Sequence, residues 1–263
     1  NNNNNNNKKK ESKIGRYRDG IGGKGANNNG ETGQESYTFS PIGHITSPFP
    51  LCVGTPRQGS LVPSSTSILN LNLNSGSVSG LSEYSHVWIT FVFHLNTTRK
   101  NGRTPDKIKP PSLGGKKVGV LATRTPHRYN SCGITLARLR GVEVVKNMPV
   151  LTLGGCDLCD GTPVIDVKPY VPFYDSVGVE GGIDDEVRYP RWIREGYVIR
   201  REVRFKEGCM EGLKVEGLRC FDCLDVFKDA VREVMEGDVR SKYGTGKVRK
   251  GGQRAPRVDV KKG

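Results

Sequence analysis

The feature that most constrains this chain is a succession of short β-rich runs with no helix-length periodic segment between most of them. Residues 87–95 (VWITFVFHL) are almost continuously apolar, β-branched and aromatic, the composition of a buried strand. Residues 117–123 (KVGVLAT), 142–145, 150–153 and 162–167 follow as further short strand-like runs. Strands packed this closely predict a mainly β fold, a sandwich or barrel, and argue against a doubly wound parallel sheet.

The pattern changes after residue 176. Residues 178–185 read as a Gly- and acid-rich linker and residues 197–205 as a strand. Residues 221–235 form an amphipathic helix, because Phe221, Leu224, Phe227, Val231 and Val234 recur at three or four residues on one face. Gly237 is placed to end it. Four parts follow: a low-complexity leader over 1–36, a β domain over 37–177, a small α+β domain over 178–237 and a basic tail over 238–263. The leader, with its Asn1 to Asn7 run, has few large apolar groups to offset the entropy of ordering and is expected to be disordered. It contains a literal G-x-G-x-x-G at Gly20, Gly22 and Gly25, but no strand-like run precedes it and no amphipathic helix follows, so it is not read as a dinucleotide site.

Of the 263 residues, 34% are hydrophobic, and the net charge is +14. Residues 238–263 carry nine Lys and Arg against two Asp, and residues 1–36 carry seven against four acids, so the ends hold most of the charge. Basic ends favour polyanions, nucleic acid first. No run approaches the roughly 18 apolar residues of a membrane-spanning helix, so no membrane is expected as a partner. The sequence begins with Asn, which leaves a targeting segment open.

Seven cysteines include two C-x-x-C pairs, Cys156 with Cys159 and Cys220 with Cys223. Four such thiolates suit tetrahedral zinc. The long gap between the pairs, and the placement of the second in the amphipathic helix, favour packed, reduced thiols instead. An odd count without a visible secretory signal fits a reducing compartment.

Three polar, Gly/Pro-rich segments carry the functional groups: residues 54–60 (GTPRQGS), 122–133 (ATRTPHRYNSCG) and 156–170 (CDLCDGTPVIDVKPY). Each lies beside strand-like runs, where a scaffold presents loops for binding.

The blocks GTPRQGSLVPSS, GLSEYSHVWITFVFH, KIKPPSLGGKKVGVLATRTPHRYNSCGITLARL and LGGCDLCDGTPVIDVKPYVPFYDS occur in this order over about residues 39–176. In them the chain resembles the TsaA-like family, the TrmO tRNA methyltransferases. The resemblance implies a TsaA-like β-barrel with a small C-terminal α+β domain. It implies S-adenosylmethionine as methyl donor and N6 of N6-threonylcarbamoyladenosine, at position 37 of tRNA, as acceptor.

Carried over by motif, the donor contacts fall on Pro56, Arg57, Gln58, Phe93, His94, Arg124, Cys159, Asp160, Gly161 and Thr162. Relatives usually carry an aliphatic residue where this chain has Cys159, which favours a packing role for it. Asp160 and His94 are the candidates for a catalytic role, with the proton acceptor unassigned. The anticodon loop is expected against Arg128, Tyr129, Asn130, Asp166 and Lys168, although Asp166 and Lys168 share a strand face and can pair with each other. Arg240 lies in DVRSKY, similar to the family's Asp-Pro-Arg-Pro-x-Tyr element with both prolines replaced. The resemblance further implies a homodimer, no metal, and an intracellular, cytoplasmic protein. Two other readings stay beside it: a non-catalytic RNA-binding β-barrel and a zinc-stabilised interaction module.

Overall fold

The computed structural model describes residues 37–52, 54–96, 104–177, 188–193, 202–214, 218 and 220–237. Two units are separable by backbone proximity, Asn1–Ser40 and Pro41–Gly263. In the first, residues 37–40 are exposed and without regular structure. All the elements below belong to the second.

Eight strands are described: β1 (Gly43–Thr46), β2 (Thr66–Leu71), β3 (His86–Val92), β4 (Lys107–Ile108), β5 (Val118–Gly119), β6 (Cys132–Val145), β7 (Met148–Gly154) and β8 (Pro163–Pro169). Six of them close an antiparallel barrel in the order β1-β2-β7-β6-β3-β8, and β4 pairs with β5 in a separate ribbon. The barrel closes where Gly43 and His44 of β1 pair with Val164 and Pro163 of β8. Among the helices that lie wholly within the described residues are α1 (Pro172–Asp175) and α2 (Leu224–Glu236).

The alternation of the strands decides the interior. Along β3, Val87, Ile89 and Phe91 point inward and the residues between them are half-buried. They meet Ile45, Leu69, Leu71, Ala137, Leu151, Leu153 and Val164 from the other strands. Fully burying each large aliphatic side chain stabilises the fold by about 1.5–3 kcal/mol. The β6–β7 hairpin turns through Lys146 and Asn147, both with positive φ, as a two-residue turn between twisted strands requires. A bulge between Leu139 and Gly141 leaves Arg140 as the extra residue of β6. Its guanidinium donates to Thr66 Oγ1 at 2.5 Å and to Pro63 O at 2.7 Å, tying the bulge to the start of β2.

Several expected elements differ in extent. The run 117–123 supplies only the two residues of β5, and a 3-10 turn over Val120–Ala122 follows at once. Val120 donates its N–H to Asp106 O and buries its side chain, which bends the chain out of the ribbon. The segment 122–133 is shorter as a loop than expected, since β6 begins at Cys132. The helix starts at Leu224 rather than Phe221. Cys220 has a φ of 69° and Cys223, its N-cap, is extended, so neither belongs to the helix. Cys220 is half-buried and Cys223 exposed, which corrects their expected packing inside it. Gly237 is the C-cap, but in a right-handed conformation that needs no glycine. Of the expected strand over 197–205, residues 202–205 carry no strand and 197–201 lie outside the described residues. The leader, the linker 178–185 and the tail from 238 lie outside them too.

Helix α2 is fastened to the barrel by polar contacts. Glu233 accepts the Ser64 N–H at 3.0 Å and the Ser64 hydroxyl at 2.9 Å. The Cys220 thiol reaches Thr46 O at 3.8 Å.

Candidate functional site

The three polar segments meet beside the ends of β1, β3 and β7. The first, following β1, is held by a close backbone approach. A Cβ at Gly59 would stand 1.8 Å from Gly155 O, so only glycine lets this loop lie against the end of β7. Pro56 is buried and Arg57 exposed. Gln58 bridges to the second segment: its Oε1 accepts Arg124 Nη1 at 2.5 Å, and its Nε2 donates to Arg57 O at 2.5 Å.

The third segment is an ordered turn. The N–H of Asp160 donates to Phe49 O and that of Gly161 to Ile45 O, each at 2.8 Å. Asp160 Oδ1 accepts the Ser47 N–H at 2.9 Å, so the carboxylate also staples the turn to the exit of β1. The buried Thr162 donates its hydroxyl to Cys159 O at 2.7 Å, which makes it a support of the turn. Gly161 has a φ of 73°, and a Cβ there would lie 3.8 Å from His94 Nε2. The turn and the imidazole therefore face one another across a space that a larger residue would narrow. Phe93, just past β3, packs edge-on against Phe91 at 4.9 Å between ring centroids.

The second segment carries Arg124, Arg128, Tyr129 and Asn130. Arg128 Nη1 donates to Thr123 O at 2.6 Å, so its guanidinium shapes its own loop. The Tyr129 hydroxyl donates to Asp106 Oδ1 at 2.7 Å, and this bond, followed by burial and the Asp106 charge, raises its pKa. Its ring remains 53% exposed, and Asn130 is exposed beside it. Asn96 Nδ2 donates to Pro126 O at 2.7 Å and joins this loop to the chain beyond β3. Asp166 and Lys168 lie farther along β8 opposite Thr90 and Trp88, and form an ion pair with each other. Arg240 lies outside the described residues.

Asp157 was not anticipated from the sequence. It accepts the Thr135 hydroxyl at 2.7 Å. Burial raises its carboxyl above the ordinary range, while the Thr135 bond and the Arg124 charge oppose the shift. Cys159 shares a small contact with two further residues not singled out in the sequence. Its Sγ is 3.4 Å from Thr55 Oγ1 and 4.0 Å from Cys52 Sγ. Burial raises the Cys159 thiol pKa, the Thr55 bond lowers it and Cys52 raises it again. Cys156 is buried, and desolvation pushes its thiol up to about 12. Among the described residues no group of three or more His, Cys, Asp or Glu is placed to hold a metal ion.

This arrangement coincides with a known sequence pattern. The profile of the tRNA-methyltransferase O N-terminal domain matches residues 44–176, half of the chain. The chain belongs to the tRNA-methyltransferase O family. Within that family it is 47% identical over 143 residues to a tRNA (adenine(37)-N6)-methyltransferase of Mus musculus, covering 52% of this chain and 31% of the mouse protein. It is 44% identical over 146 residues to a putative S-adenosylmethionine-dependent methyltransferase, RcsF, of Pseudomonas aeruginosa, covering 54% of this chain and 58% of that one. The chain thus spans less than two thirds of both curated relatives. The crystal structure of TrmO from P. aeruginosa superposes with a TM-score of 0.56 at 32% identity, over 80% of this chain and 84% of that one. The family segment includes β1 through α1, and with them all three polar loops.

Proposed function

We propose that this chain is an S-adenosylmethionine-dependent methyltransferase that methylates N6 of N6-threonylcarbamoyladenosine at position 37 of tRNA. The observation that carries the reading is the joining of the three loops: Gln58 holds Arg124, Cys159 meets Thr55, and the Asp160-Gly161 turn faces His94. The family profile over 44–176 supports it.

The donor set suits that cofactor, which supplies a methyl group on a sulfonium cation. Exposed Arg57 and Arg124 offer guanidinium forks to its carboxylate. Asp160 brings a carboxylate charge to the turn, held there by the Ser47 N–H, to face the positive charge of the sulfonium. Phe93 offers an aromatic face for an adenine, and the space at Gly161 allows backbone to approach a ligand closely. Pro56, Gln58, Cys159 and Thr162 hold these groups in place.

The acceptor amine must come in line with the methyl carbon, so positioning is the main catalytic task. The amine must also give up a proton, and His94 and Asp160 are the two groups we assign as candidates to accept it. The exposed Tyr129 ring is suited to stack on an unpaired base of the anticodon loop, with Asn130 beside it. Arg128 fixes that loop's shape, while the Asp166–Lys168 pair and Arg240 contribute polar groups toward the RNA.

We infer a homodimer, supported by the exposed apolar side chains of Leu121 and Ile134 on and beside the second loop. We place the protein inside the cell, in the cytoplasm. Among the described residues no helix is long and apolar enough to cross a membrane. The test is transfer of a labelled methyl group from S-adenosylmethionine to tRNA bearing the threonylcarbamoyl group, read by nucleoside mass spectrometry. Methylated threonylcarbamoyladenosine is the expected product. Failure to label any such tRNA, with the donor bound, would favour the non-catalytic RNA-binding barrel.

A further inference from the structure

We propose that Cys52 and Cys159 are a redox-modification site, a thiol pair that oxidises to a disulfide and thereby shuts the methyl-donor site. The inference rests on the donor-site reading for its consequence, but not for the bond itself.

The pair is set apart from the other cysteines by geometry. Cys52 and Cys159 are more than a hundred residues apart in sequence, yet their sulfurs lie 4.0 Å from one another. Cys52 is exposed, on the irregular chain that leads from β1 into the first loop, and Cys159 is half-buried at the start of the third. Thr55 lies between the two loops: its hydroxyl donates to Leu51 O at 2.7 Å and contacts Cys159 Sγ at 3.4 Å. Among the described residues of the loop bearing Cys52, none belongs to a helix or strand before the 3-10 turn at Gly59–Leu61. A disulfide needs the sulfurs at about 2.05 Å, so the two sulfurs must close by about 2 Å, drawing the first loop toward the third.

The oxidant is a peroxide, with hydrogen peroxide as the simplest case. The exposed Cys52 sulfur attacks one peroxide oxygen, the O–O bond breaks, and one water leaves from the other oxygen. Cys52 is then a sulfenic acid. The Cys159 sulfur attacks the Cys52 sulfur, the S–O bond breaks, and the second water leaves with the Cys159 proton. Two thiols lose two electrons in total and one peroxide is reduced to two waters. Burial of Cys159 makes it the resolving partner rather than the first to meet the oxidant.

The consequence follows from what lies on the two loops. Pro56, Arg57 and Gln58 come directly after Cys52 and Thr55, and Asp160 and Gly161 directly after Cys159. Drawing the sulfurs together breaks the Thr55–Cys159 contact and moves Arg57 and Gln58 relative to the turn. The Gln58–Arg124 bond at 2.5 Å leaves no slack for that movement.

The test treats the full chain with hydrogen peroxide at stoichiometric concentration, then maps peptides without reduction. The expected result is a loss of two hydrogens in mass, a linked peptide joining Cys52 to Cys159, and affinity for S-adenosylmethionine weakened by at least about tenfold in calorimetry. Dithiothreitol should restore both. Cys52→Ser should bind the donor as the reduced protein does and keep that affinity after peroxide. No link, a link between other cysteines, or the Cys52–Cys159 link with unchanged affinity would each overturn the proposal. If the link forms but even the reduced protein binds no donor, the thiol pair stands and the donor-site reading fails.

Discussion

Arg124 shows how one side chain joins two loops. It donates to Gln58 Oε1 and lies within the field of the half-buried Asp157 carboxylate. A guanidinium held this way keeps its remaining N–H groups in a fixed fork, the geometry a carboxylate takes bidentately. Arg124→Ala should therefore raise the dissociation constant for S-adenosylmethionine about ten- to a hundredfold, because a hydrogen bond between charged partners contributes about 1.5–3 kcal/mol. Calorimetry with the reduced protein measures it. An unchanged constant would take Arg124 out of the donor site. Composition marked only the polar Gly/Pro-rich segments that carry Arg124 and Gln58; the family resemblance singled out the two residues, and the hydrogen bond between them is visible only in the structure. The sequence left Asp157 invisible, because a carboxylate within CDLCDG reads as part of a turn. Its hydrogen-bond partner, Thr135, stands on β6, far from it in sequence.

Elements follow the same division between local and distant information. Strand β3 was legible because its inward and outward residues are both largely apolar, and α2 because its apolar positions recur at helical spacing. Strands β1 and β2 were not. β1 has four residues, and β2 buries Thr66 and Ser67 at its start, so neither stands out as an apolar run. The segment 117–123 has strand composition, but its partner β4 offers only two residues to pair with. The docking of α2 could not be read either, since part of its fastening is a carboxylate on its polar side. Glu233 accepts two bonds from Ser64, one of them from the backbone. Glu233→Ala should cost about 1–3 kcal/mol at this contact. Hydrogen exchange should then rise over Leu224–Glu236 and stay slow in β3 and β7. Equal protection of α2 in the variant would show that its apolar face suffices.

At the scale of the whole molecule, the charge and the site are separate. The basic ends hold most of the +14, while the proposed donor site draws on the only mildly basic middle, residues 37–237. The ends are suited to long-range attraction of RNA, which weakens with salt, and the loops to chemistry. The barrel interior sets a limit on pH. Burial pushes the Cys156 thiol up to about 12 from an ordinary 9.0, so the folded state holds this proton more tightly than the unfolded state does. The resulting stability is complete below pH 9 and is lost as pH rises toward 12. Between pH 9 and 11 the wild type should lose roughly 1–3 kcal/mol more than Cys156→Ala, at about 1.4 kcal/mol per pH unit. Urea midpoints at the two pH values measure the difference. Parallel losses in both proteins would exclude the buried thiol as the cause.

The closure of the barrel also orders events in time. β1, the first strand among the described residues, pairs with β8, the last of them, through Gly43 with Val164 and His44 with Pro163. A chain emerging from a ribosome has made β1, β2 and both early loops long before β8 exists, and contacts so distant in sequence form slowly. The Asp160-Gly161 turn, which binds the backbone of Ile45 and Phe49, sits at that same seam. Until synthesis passes β8 there is no seam and hence no turn facing His94. On the donor-site proposal, affinity for the methyl donor should report completed folding and be absent from a nascent chain that stops short of β8.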